Sequence, residues 1–106
     1  MRAVYKRPGE APVIMDIDND LETLQRMVEG HIEHVTMYDH GDPASYGLII
    51  NEEGKLLDME PNFKLYTDVI VGPAVVVGEA GEEFTDLTEE EAEEIVKALN
   101  LQMKRD

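Results

Sequence analysis

The sequence predicts an α+β domain, a mainly antiparallel sheet of about five or six strands with two helices packed on one face. Three observations carry this. Short β-branched and aromatic segments recur along the chain. Helical spacing of apolar residues occurs twice, around Leu24 and around Ile95. The order is strands, helix, more strands, helix, rather than one strand per helix. A small half-open barrel is the alternative, since strand order depends on long-range pairing.

Residues 2–6 and 11–17 hold enough Val, Ile, Tyr and Met for two strands, and Arg7-Pro8-Gly9-Glu10 between them has turn chemistry, so a hairpin is expected. In the second strand Val13, Met15 and Ile17 alternate with Ile14 and Asp16, which points the odd-numbered set at the core. Leu21, Leu24, Met27 and Val28 then predict a short helix, with Asn19 and Glu22 as N-cap and N3 of a capping box and Gly30 as its left-handed stop. Residues 31–38 predict a third strand, 39–43 a loop and 46–50 a fourth strand.

The stretch from Asn51 to Asn62, NEEGKLLDMEPN, mixes helix formers with breakers. Asn51 opening a turn, Glu52 and Glu53 in helical dihedrals and Gly54 left-handed predict a hairpin with a glycine bulge, returning through residues 55–57. Pro61 excludes Glu60 from the helical region, so residues 58–62 are expected as a loop. Residues 68–71 and 74–77 form a nearly continuous apolar run, expected as one buried strand bent at Gly72-Pro73 and forming the centre of the core. Residues 79–83 predict an acidic loop. Thr88 and Glu91 predict a capping box opening the last helix, whose buried stripe is Ala92, Ile95, Val96, Leu99 and Met103.

At 106 residues the chain predicts a single domain able to bury one modest core. The lack of cysteine excludes disulfides, thiolate metal sites and a cysteine nucleophile, and points to a reducing, cytoplasmic setting. Arg2, Lys6 and Arg7 lead into Pro8-Gly9-Glu10 rather than an apolar segment, unlike a signal peptide. No apolar run approaches the roughly 20 residues that span a bilayer. The 24 Asp and Glu against 9 Lys and Arg give a net charge of -15, with a pI near 4.3. That sign disfavours direct binding of nucleic acid or anionic membranes and makes a basic protein the expected charged partner.

Candidate chemistry is sparse. His31 and His34, with Asp39, His40 and Asp42 nearby, suggest a metal site, but a strand points residues three apart to opposite faces, so half-exposed histidines are expected instead. No pair of carboxylates stands out for acid–base work. Ser45, the only serine, lacks a glycine elbow, and neither Gly72-Pro73 nor residues 78–81 match a phosphate-cradling loop. The sequence therefore names no catalytic residue, no metal ligand and no cofactor.

From Glu79 to Glu94 the acids meet no base before Lys97. They either complement the helix dipole, with Lys97, Lys104 and Arg105 at the far end, or build an electronegative surface for a basic protein, with Glu82, Glu83, Glu90, Glu93 and Glu94 as its candidates. A second expectation is a module for a small polar ligand at loops carrying Tyr38, Asn51, Asn62, Phe63 and Tyr66. A hydrolase or metal-binding enzyme is third.

Four segments in order, NDLETLQRMVEGHIE, NEEGKLLDMEPN, DVIVGPAVVVG and EFTDLTEEE, together resemble the domain of unknown function 3846 family. The resemblance implies a fold unit and a setting in phages, conjugative elements and their bacterial hosts, and it carries no catalytic residues. It also implies a defence-countering or host-modulating role for a free-standing acidic version. Family members often carry a second glycine before the third strand where this chain has Glu29.

Overall fold

The computed structural model describes the backbone of residues 1–39 and 42–105 and the side chains of residues 1–37 and 46–104. The strands are β1 (Arg2–Lys6), β2 (Val13–Asp16), β3 (Ile32–Asp39), β4 (Asp42–Asn51), β5 (Pro61–Leu65), β6 (Asp68–Val71), β7 (Ala74–Ala80) and β8 (Glu83–Thr85). The helices are α1 (Leu21–Val28) and α2 (Glu89–Arg105). Six strands form one antiparallel sheet in the order β2-β1-β7-β4-β3, with β8 also on β7, while β5 and β6 make a separate hairpin. The α+β class with a mainly antiparallel sheet is thus the fold.

The helices lie on opposite faces of the sheet, not on one. Strand β7 explains why: Ala74 and Val76 join one apolar cluster, Val75 and Val77 the other, and a strand buried on both sides needs cover on both. The first cluster holds Val4, Leu48 and Val76 beneath Ala92, Ile95 and Leu99 of α2 and Phe63 and Ile70 of the hairpin. The second holds Ala3, Ile49, Val75 and Val77 beneath Leu24 and Val28 of α1. Strand β2 is an outer strand beyond the reach of α1, so Val13 and Met15 are exposed and only Ile17 of the odd-numbered set is buried.

Local corrections have local causes. Asp20, not Asn19, caps α1, its carboxylate accepting the Thr23 N–H at 2.7 Å, while Asn19 donates to the Phe84 carbonyl. Glu29, not Gly30, takes the left-handed position at φ 66°, and the Gly30 N–H reaches back to Gln25 O at 2.9 Å. The β3–β4 ladder continues to Asp39 opposite Asp42, where a loop was expected; His40 and Gly41 lie outside the described residues.

The Asn51 stretch makes turns with no returning strand over 55–57. Glu53 N–H bonds Asn51 Oδ1 at 2.8 Å, Leu57 N–H bonds Glu53 O at 2.8 Å and Met59 N–H bonds Gly54 O at 3.0 Å. Gly54 is not left-handed. The fit is tight there, since a Cβ would stand 3.0 Å from Val71 Cγ2. Gly72, at φ 76°, separates β6 from β7 into two sheets, where one bent strand was expected. Strands β5 and β8 begin inside segments expected as loops, at Pro61 and Glu83.

Candidate functional site

Helix α2 presents the acidic surface. Thr88 Oγ1 accepts the Glu91 N–H at 3.0 Å, and Glu91 Oε1 accepts the Thr88 N–H at 2.9 Å, the reciprocal cap that the sequence predicts. With Ala92, Ile95 and Leu99 buried, a turn of about 100° per residue puts Glu90, Glu93 and Glu94 on the outward side, where all three are exposed. Met103 of the expected stripe is 37% exposed. Glu82 and Glu83 sit apart from these, at the β7–β8 turn, and are exposed too. Among the described residues, none of these five carboxylates has an ion pair or side-chain hydrogen bond.

Beside Glu82 and Glu83 lies a notch of about 540 Å³, also lined by His34, Thr36, Glu79, Gly81 and Phe84. Its floor is a contact between His34 Nε2 on β3 and the Glu79 carboxylate on β7, made across the intervening strand β4. Gly47 of β4 permits this: a Cβ there would stand 2.6 Å from His34 Nε2 and 2.9 Å from Glu79 Cδ. Phe84 meets the His34 ring edge-on, with centroids 5.3 Å apart. Carboxylates around an aromatic ring suit a cationic side chain. A glycine inside the apolar strand segment YGLII was the one sequence signal for this notch.

The model for the family described as Domain of unknown function (DUF3846) matches residues 1–100. The chain belongs to that family. Comparison of this DUF3846 member with curated proteins and with solved structures gives no match.

The residues expected at a ligand loop do not converge in the DUF3846 chain. The Tyr38 side chain lies outside the described residues. Asn51, 4% exposed, donates to Val28 O at 3.0 Å and so ties the turn after β4 to the end of α1. Phe63 is in the core cluster beneath α2, on the opposite face, and forms part of the wall of an apolar groove of about 330 Å³ with Met37, Tyr46 and Leu99. Tyr66 is exposed in the β5–β6 turn at φ 56°.

Asn62 works inward, donating to Lys6 O and to Gly72 O, each at 2.8 Å, and accepting from Lys6 Nζ at 2.9 Å. Lys6 is the group that sequence reasoning missed. It is 1% exposed, its ammonium also bonds Arg7 O at 2.7 Å, and burial holds its pKa below the usual lysine value. The two bonds between Asn62 and Lys6 fasten the β5–β6 hairpin to β1. Among the described residues, no group of three or more His, Asp or Glu is arranged to hold a metal ion, and no helix is long and apolar enough to cross a membrane.

Proposed function

We propose that the chain is a non-enzymatic interaction protein that docks a basic protein through its acidic surface. The observation that supports it best is that Glu82, Glu83, Glu90, Glu93 and Glu94 are exposed yet have no ion-pair or side-chain hydrogen-bond partner among the described residues. Carboxylates that served only to complement the α2 dipole would be confined to its first turn, where Glu89, Glu90 and Glu91 already sit. Glu93 and Glu94 lie beyond it, and Glu82 and Glu83 lie on another element. The net charge of -15 adds long-range attraction for a basic partner. A mobile-element setting, which the family resemblance implies, makes a host protein the natural partner, with a host-modulating or defence-countering outcome.

The test compares the wild-type chain with the Glu90→Lys/Glu93→Lys/Glu94→Lys variant, its fold verified by circular dichroism. Binding of a lysine-rich peptide, and capture of basic proteins from a host lysate, are measured at low and high salt. The wild type should bind at low salt and release as the Debye length falls from about 10 Å at 0.1 M, and the variant should bind at least tenfold more weakly. Equal binding and equal salt dependence in the two would reduce the charge to a solubility device and end the proposal.

A further inference from the structure

We propose that the chain self-associates through the open edge of β2 into a two-fold dimer with one continuous sheet. Strand β2 ends the order β2-β1-β7-β4-β3, so among the described residues its outer hydrogen-bonding edge has no neighbouring strand. Three of its four residues are apolar where an outer strand is usually blunted by charge: Val13 is 54% exposed, Ile14 43% and Met15 37%, and the fourth, Asp16, is paired with the N-terminal ammonium. On the α2 side this edge continues into a groove of about 420 Å³ lined by Ile14, Glu93, Val96, Lys97, Leu101 and Lys104.

The composition of that groove argues for a second copy as the occupant. A contact of a surface with itself must be self-complementary, carrying both signs of charge around an apolar centre. In this very acidic chain the groove brings Lys97 and Lys104 together with Glu93, beside Ile14 and Leu101. A basic partner would be repelled by those lysines and drawn to the exposed acids elsewhere.

Geometry agrees. Antiparallel pairing of β2 with its copy has its two-fold axis normal to the sheet, so both α2 helices stay on one face and run antiparallel. Glu93, early in α2, then faces the Lys104 end of the other helix. A register centred on Ile14 sets Val13 opposite Met15 of the second copy on the other face, where α1 leaves both uncovered.

Sedimentation equilibrium from low to high micromolar concentration at moderate salt tests this on the full chain. The wild type should pass from monomer to dimer mass, Ile14→Glu should remain monomeric, and Leu101→Glu should weaken dimerisation at least tenfold. Hydrogen exchange should show the amides of residues 13–15 gaining protection as concentration rises. If Ile14→Glu fails to fold by circular dichroism, Leu101→Glu and the exchange measurement decide. A wild type that stays monomeric would overturn the proposal and leave the edge to a strand from another protein. So would dimerisation unaffected by either variant, or exchange at 13–15 independent of concentration.

Discussion

Replacing Gly78 by alanine tests how the sheet launches the acidic helix. Gly78 sits in β7 between Tyr46 of β4 and Thr85 of β8. Its φ is not in the left-handed region, so its backbone would accept alanine; the space would not. A Cβ would lie 2.9 Å from the Asp86 carbonyl carbon and 3.0 Å from Thr85 O, and nearer still to Asp86 O. Ordinary contact needs about 3.5–4 Å, so the main chain at Asp86 must retreat by roughly 1 Å or more. That segment is pinned: Asp86 Oδ1 accepts the Arg2 N–H at 2.6 Å, the Leu87 N–H donates to Arg2 O at 3.0 Å, and Leu87 is fully buried one residue before the α2 cap. Overpacking at about 1–3 kcal/mol, plus one or two weakened hydrogen bonds at about 1 kcal/mol each, gives a loss of about 2–5 kcal/mol. Urea unfolding followed by circular dichroism would read this as a midpoint lowered by roughly 1–2 M. Gly81→Ala is the control, because Gly81 has φ 66° with nothing within 4 Å of a Cβ, leaving only backbone strain of about 1 kcal/mol. If Gly78→Ala loses no more than Gly81→Ala, close packing of β7 on the Asp86 main chain is not what glycine is there for.

Glu29→Gly should raise stability by about 0.5–1 kcal/mol by relieving the left-handed position at the end of α1, and an unchanged or lowered urea midpoint would contradict that. Asn62→Ala should cost about 2–4 kcal/mol, since Lys6 Nζ, Lys6 O and Gly72 O all lose a partner; a loss below about 1 kcal/mol would deny that the hairpin is fastened there. Asp20 is held below the ordinary carboxylate value of 3.8 chiefly by the Thr23 N–H. Asp68 is held low first by Lys55, whose ammonium lies 2.6 Å away, and then by the Val69 N–H. Because the folded pKa values are depressed, this stabilisation is fully present above the unfolded value and lost as pH falls through the lower folded values, so the urea midpoint should begin to decline below about pH 4. Asp20→Asn keeps a competent cap and should show a shallower acid slope; an unaltered slope would exclude Asp20 as a contributor.

What the sequence made legible was local. Thr88 and Glu91 lie three residues apart and need only each other, so their cap is readable from spacing. The outward placement of Glu90, Glu93 and Glu94 follows from helical period alone. Residues whose state depends on distant partners were not legible. Lys6 shares the buried face of β1 with Val4, although a lysine is ordinarily placed in water, and Asn62, 56 residues away in sequence, closes over it. Strand β5 begins at a proline and holds an asparagine, against strand propensity, yet its edge is satisfied by Gln102, whose amide bonds both Lys64 N–H and Lys64 O. The two-sided burial of β7 was written in its unbroken AVVV run, which does not alternate and so signals cover on both faces.

The two proposed surfaces meet at Glu93, and that shared residue makes them separable. Glu93 lies on the outward side of α2 and also lines the groove beside Ile14. In a β2-paired dimer it would face Lys104 of the second copy, which leaves Glu90 and Glu94, with Glu82 and Glu83, for a basic partner. Glu93→Lys would therefore disturb both contacts, placing like charges across the two-fold as well as weakening docking, whereas Glu90→Lys/Glu94→Lys should spare the dimer. If the double variant loses partner binding at unchanged dimer mass, docking does not depend on the strand edge. If Ile14→Glu, monomeric and with every acid intact, also loses binding to a partner that carries several basic sites, then docking depends on two linked acidic surfaces. In that case the second copy contributes by raising effective concentration rather than by adding a contact of its own.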